Sequence, residues 1–150
     1  MIRQANMFEA SIGEIATIID PAITSIDQLS TAVQQQAIAF GQDQTTQARA
    51  LYGIISAGAT DASEAIELLN ESNQLAQGGV TDVATASASI SGILNAYSLS
   101  ASDARDVSDS LFTVVRLGTT TMAELGHSIC LLYTSPSPRD RTRSRMPSSA

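Results

Sequence analysis

The 150 residues contain no tryptophan and no lysine, one cysteine, one histidine and only 4% aromatic residues. Each shortage excludes something. A single cysteine permits no internal disulfide and leaves the redox compartment unread. One histidine and one cysteine cannot fill a zinc coordination sphere. The chain is poor in the Val, Tyr and Phe that a sheet needs. Sparse cations argue against a specific nucleic-acid surface, because gripping phosphates takes clustered Lys and Arg. No apolar run approaches the roughly 20 residues that span a bilayer. The opening MIRQANMFEASIGEIA lacks the apolar core and small-residue cleavage site of a secretory leader.

What is present is small-residue, helix-favouring composition: 43% hydrophobic, much of it alanine. Its charge is unevenly placed. Residues 1–129 carry 14 Asp and Glu against four Arg, a formal charge of −10, whereas residues 130–150 carry +3. The same last stretch, CLLYTSPSPRDRTRSRMPSSA, holds Cys130 and three of the four prolines. Such a shift marks a boundary, and a basic Pro/Ser-rich stretch is expected to be disordered.

Helix punctuation recurs along the acidic part. FEASIGEIATIID predicts a helix ended by Pro21, since proline disfavours helix in the residue before it. Ser25-x-x-Gln28 predicts a capping box, followed by a stripe of Ile26, Leu29, Val33 and Phe40 and a stop at Gly41. A second run begins near Asp43 or Thr45, buries Leu51, Tyr52 and Ile55, and stops at Gly58. Thr60-Asp61 opens a third, with Asp61-x-x-Glu64 as its box, Ala65, Ile66, Leu69 and Ala76 as its stripe, and Gly78-Gly79 as its end. Thr81 is expected to cap a fourth, in which Val83, Ala86, Ile90, Ile93 and Tyr97 form a heptad-like seam. Ser100-x-x-Asp103 opens a fifth, with Ala104, Val107, Leu111 and Val114 inward and Gly118 closing it. Thr121-x-x-Glu124 opens a sixth, with Met122, Leu125 and Ile129 apolar. The expected fold class is therefore all-α: six or seven short helices in antiparallel hairpins, with a disordered C-terminal tail.

The residues that could carry chemistry are few. Asp103, Asp106 and Asp109 share one helix, but a rotation of about 100° per residue fans them around the axis, and carboxylates near a helix start complement its dipole. His127 and Cys130 lie three apart and lack the partners of either a metal site or a nucleophile–base pair. Asn70-Glu71-Ser72 matches the glycosylation triplet without other signs of secretion. Gly78-Gly79 reads as a helix stop and not as a phosphate cradle. No Gly-x-Ser-x-Gly elbow accompanies the many serines. No catalytic, cofactor-binding or metal residue is expected, and no enzymatic activity.

Longer stretches carry a family likeness. ALYGIISAGA (50–59), NQLAQGGVTD (73–82), ILNAYSLSASDARDVSD (93–109) and LFTVVRLGTTTMAELGHSI (111–129), with FEASIGEIATIID and LSTAVQQQAIAFG upstream, resemble the core region of phage tail tape-measure proteins, in order over about residues 8–129. The resemblance implies a structural virion-tail protein that sets tail length and acts in tail tube assembly. It implies partners among tail tube protein, tail assembly chaperones, baseplate components and further copies of itself, with assembly in the bacterial host cytoplasm. It also implies that 1–129 is part of a longer chain whose termini lie elsewhere. A different class, a free-standing helical scaffold or interaction module working through the Val83–Tyr97 seam, is the alternative.

The basic end reads differently. CLLYTSPSPRD matches the translation of a transposase-type sequencing-library adapter, and SRMPSSA (144–150) matches the translated flow-cell end of the same adapter. Residues 130–150 are accordingly expected to be adapter read-through and not evolved protein.

Overall fold

The computed structural model describes residues 2–19, 25–59, 61–118, 120–122 and 124–128. Among them the regular elements are helices: α1 (Ile2–Ile18), α2 (Ile26–Phe40), α3 (Gln44–Ser56), α4 (Ala62–Gly79), α5 (Val83–Tyr97), a 3-10 turn (Ala101–Asp103) and α6 (Ala104–Leu117). Residues 124–128 are helical as well. The expectations placed on Pro21, Thr60, Ile129 and residues 130–150 lie outside the described residues. The all-α expectation holds.

The starts of the helices follow from carboxylates that satisfy otherwise unpaired first-turn N–H groups. Asp43 accepts from the backbone N–H of Thr45 (3.0 Å) and Thr46 (3.1 Å). Asp61 accepts from Glu64 N–H at 2.8 Å. Before α5 the cap is Asp82 and not Thr81: its carboxylate takes the Thr85 N–H (2.8 Å) and hydroxyl (2.7 Å). Thr81 is unavailable because its own N–H closes the previous helix on Ala76 O at 3.0 Å. The Ser25–Gln28 box does not form. Ser25 has the extended backbone of a cap, but its side chain makes no capping bond, and at an exposed position water competes for the hydroxyl. Thr121 and Glu124 do form the reciprocal box, with Thr121 N–H to Glu124 Oε2 at 2.9 Å and Glu124 N–H to Thr121 Oγ1 at 3.2 Å.

The ends share one backbone device. Gln42 N–H bonds Ala37 O (2.9 Å), Thr81 N–H bonds Ala76 O, and Leu99 N–H bonds Leu94 O (2.8 Å). Each bond wraps a left-handed residue: Gly41 (φ 63°), Val80 (φ 50°) and Ser98 (φ 53°). This is the Schellman arrangement, which satisfies the last carbonyls. Of these three only the first has the expected glycine, but at the end of α3 the expected Gly58 (φ 117°) is wrapped in the same way, with Ala59 N–H on Ile54 O at 3.4 Å. Helix α4 ends at the expected pair, its last residue being Gly79, but the left-handed residue of the turn is Val80 and not a glycine. The glycines also serve packing. A Cβ on Gly78 would sit 3.1 Å from Phe112 Cε2, and one on Gly79 would meet Met122 Cγ at 3.4 Å. Their bare backbone seats side chains from the last third of the chain.

Helices α3, α4 and α5 pack on one another, with α4 and α5 the most extensive pair. Helix α1 lies on α3, α2 on α3 and α4, and α6 on α4 and α5. The core runs through all of them, with Ile15, Leu29, Leu51, Leu69, Ile90 and Met122 fully buried. Each such side chain contributes about 1.5–3 kcal/mol of burial. Three residues expected inside are not: Tyr52 and Val114 are exposed, and Tyr97 is 73% exposed. Tyr97 lies at the last turn of α5, beyond Leu94, where the chain has begun to reverse at Ser98. Of the remaining seam residues, Val83, Ala86 and Ile90 are buried in the core and Ile93 packs half-buried against it, so most of the seam is an internal packing surface.

Helix α5 also buries serines. Ser87 and Ser89 donate to Ala84 O (2.9 Å) and Thr85 O (2.8 Å) of their own helix, which lets short polar side chains sit inside without outside partners. Their small size admits the 124–128 segment closely, since a Cβ on Gly126 would clash with Ser89 Oγ at 2.6 Å.

Candidate functional site

The sequence candidates do not converge. Asp103 is half-buried and local: its Oδ2 accepts the Ser100 N–H (2.9 Å) and hydroxyl (2.8 Å), the helix-start role read from the sequence. Asp106 and Asp109 are exposed at successive offsets around α6. Among the described residues no group of three His, Cys, Asp or Glu stands close enough to hold a metal ion. His127 is exposed, and Cys130 lies outside the described residues. The glycosylation triplet falls inside α4, with Ser72 fully buried and donating to Leu68 O at 2.6 Å.

The most built polar feature is one that sequence reasoning missed. Gln47 on α3 and Asn73 on α4 are both fully buried and face each other as a reciprocal amide pair. Gln47 Nε2 donates to Asn73 Oδ1 at 2.5 Å, and Asn73 Nδ2 donates to Gln47 Oε1 at 2.9 Å. Asn73 Nδ2 also reaches Gln36 Oε1 on α2 (3.1 Å) and Leu69 O (3.0 Å), while Gln47 Nε2 reaches Gln42 Oε1 (3.3 Å). Three helices are thus joined by neutral amides, and among the described residues no buried side-chain polar atom lacks a partner. Neutral, mutually saturated amides hold no proton to transfer at neutral pH. Their chemistry is positional: only one register of α2, α3 and α4 lets every donor meet an acceptor.

The carboxylates shifted by their surroundings are capping groups. Partial burial pushes the Asp82 carboxyl up, but the hydrogen bonds from Thr85 and the neighbouring backbone outweigh it and hold its pKa below the usual value. Glu124 is held low mainly by the Thr121 N–H, then by the Thr121 hydroxyl. Each carboxylate is held by N–H and hydroxyl groups of its own helix start, so the shifts report helix starts.

An apolar groove of about 470 Å³ lies beside α6, lined by Ile93, Leu99, Val107, Leu111, Val114 and Leu125, with Asp103, Asp106 and Ser110 along its edge. Val114 is 49% exposed there, which is why the residue expected inside is found outside. No described helix is long and apolar enough to cross a membrane.

A wholly helical core joined by saturated amides, with an open apolar groove and no converging reactive side chains among the described residues, defines a helical packing module. Residues 34–130 match the model of the phage-related minor tail protein family, and the chain belongs to that family. It is also similar, at 24% identity over 125 residues, to a protein of Clostridium phage phiCD119 described as a "probable tape measure protein". The likeness covers 81% of this chain and 13% of that relative, so the chain spans about one eighth of the relative's length. No solved structure matches. Membership of a phage tail family agrees with a structural role among other tail components.

Proposed function

We propose that residues 1–129 are a segment of a tape measure protein, a non-enzymatic tail component that sets tail length and takes part in tail tube assembly. The observation that supports this reading best is the collinear likeness of 125 residues to the phiCD119 protein. The tail tube protein, tail assembly chaperones and baseplate components are the partners this role requires, with self-association inside the tube and assembly in the host cytoplasm. Residues 130–150 are proposed to be adapter read-through.

The test is genetic. In a phage carrying this segment, an in-frame deletion of 26–117 should shorten the tail in proportion to the residues removed, as measured by electron microscopy of negatively stained particles. Tails of unchanged length, or loss of a single partner with normal tails, would favour a free-standing interaction module instead. Sequencing adapter-trimmed DNA across codons 129–150 tests the second part. Adapter bases there, followed by an open frame in trimmed reads, support it; a junction retained in trimmed reads overturns it.

A further inference from the structure

Helix α6 sorts its side chains by face. At about 100° per residue, Val107, Leu111 and Ala104 point to the core, while Asp103, Asp106, Ser110, Val114 and Leu117 fall on the adjoining strip. Arg105, Asp109 and Arg116 fall on the far side, so both cations of α6 point away from that strip. The strip is one wall of the groove described above, whose other lining comes from Ile93, Leu99 and Leu125. From Asp103 to Val114 it runs roughly 16 Å, about three helical turns. Leu117, 76% exposed, extends it by another turn. The floor is aliphatic, the edge carries two carboxylates, and among the described residues no cation lines it.

We infer that this groove is a docking site for one amphipathic helix of opposite charge, its apolar stripe seated on Val107, Leu111, Val114 and Leu125 and its flanking Lys or Arg meeting Asp103 and Asp106. An open trough three turns long suits a helix laid in a groove. The acidic edge selects a basic partner and repels an acidic one. A second copy of this chain fits poorly on the same ground, because residues 1–129 carry −10 and only four cations.

The test uses the full 150-residue chain and a fluorescein-labelled synthetic helix of about 14 residues, with Leu at helical spacing and Lys on both flanks, read by anisotropy. The Lys peptide should bind, and the same peptide with Glu for Lys should bind at least about tenfold more weakly. Asp106→Lys and Val114→Lys should each weaken the Lys peptide, whereas Glu67→Lys, an equal charge change on exposed α4, should not. Both groove sites are exposed, so loss of fold is not expected, and circular dichroism checks it. Equal binding of both peptides, equal loss with Glu67→Lys, or no binding overturns the proposal. So does a dimer in sedimentation equilibrium that Val114→Lys dissociates, which would make a second copy the occupant. Binding that appears only after Arg139, Arg141, Arg143 and Arg145 are replaced by Ser would make residues 130–150 the occupant and equally overturn it.

Discussion

The two flanks of α4 are built on different principles. Toward α2 and α3 the contact is completed by amides: Gln36, Gln42, Gln47 and Asn73 saturate one another inside an otherwise aliphatic interface. Toward α5 and α6 it is completed by size: Gly78, Gly79 and the buried serines of α5 admit Phe112, Met122 and the 124–128 segment at close range. An amide interface is directional, so a slip of one residue strands donors in a dry core. A small-residue interface is permissive, since shape alone holds it. The permissive flank is also where an apolar groove stays open.

The largest expected effect breaks the directional flank. Asn73→Ala leaves the Gln47 amide buried without its partner and opens a void, and should cost about 2–4 kcal/mol in urea unfolding. Replacing both, Gln47→Leu with Asn73→Leu, should recover most of that stability. The double variant should nevertheless lose uniqueness, seen as broadened amide NMR signals from α2, α3 and α4. Sharp signals would show that the aliphatic contacts alone set the register.

On the permissive flank, Gly126→Leu drives a side chain into Ser89 and Thr85 of α5 and should cost about 1–3 kcal/mol by overpacking. Unfolding midpoints equal to those of the parent chain would mean that the 124–128 segment moves aside freely. A gain is expected at the junction of the two flanks. Val80 is a β-branched residue in the left-handed region with its side chain 93% exposed, so Val80→Gly should relieve about 1 kcal/mol of strain and raise the thermal midpoint.

The smallest effect concerns the cap of α5. Asp82→Ala should cost about 1 kcal/mol at neutral pH. The Asp82 pKa is lower in the folded chain than in the unfolded one. Its contribution is therefore present above the unfolded value, about 3.9, and disappears as pH falls through the folded one. Parent and variant stabilities should converge on acidification below about pH 4; a constant difference would assign the effect to helix propensity.

Helix number, the Gly41 stop of α2, and the capped starts at Asp43, Asp61 and Thr121 were legible because capping is local: a carboxylate or hydroxyl acts on N–H groups two or three residues away. The amide cluster left a faint trace, since Gln36, Gln47 and Asn73 each occupy a position on an apolar stripe, next to Val33, Leu51 and Leu69. Periodicity marks such a residue as an interruption and cannot say which other interruption it meets. Likewise Gly78-Gly79 carries the same local signal whether it only stops a helix or also seats Phe112 and Met122. Composition and short-range pattern by themselves determined an all-helical chain with most of its caps, because those interactions close within one turn. Which stripes face each other, why Val114 and Tyr97 lie outside, and where the groove opens were decided only by tertiary structure, because burial depends on neighbours tens of residues away.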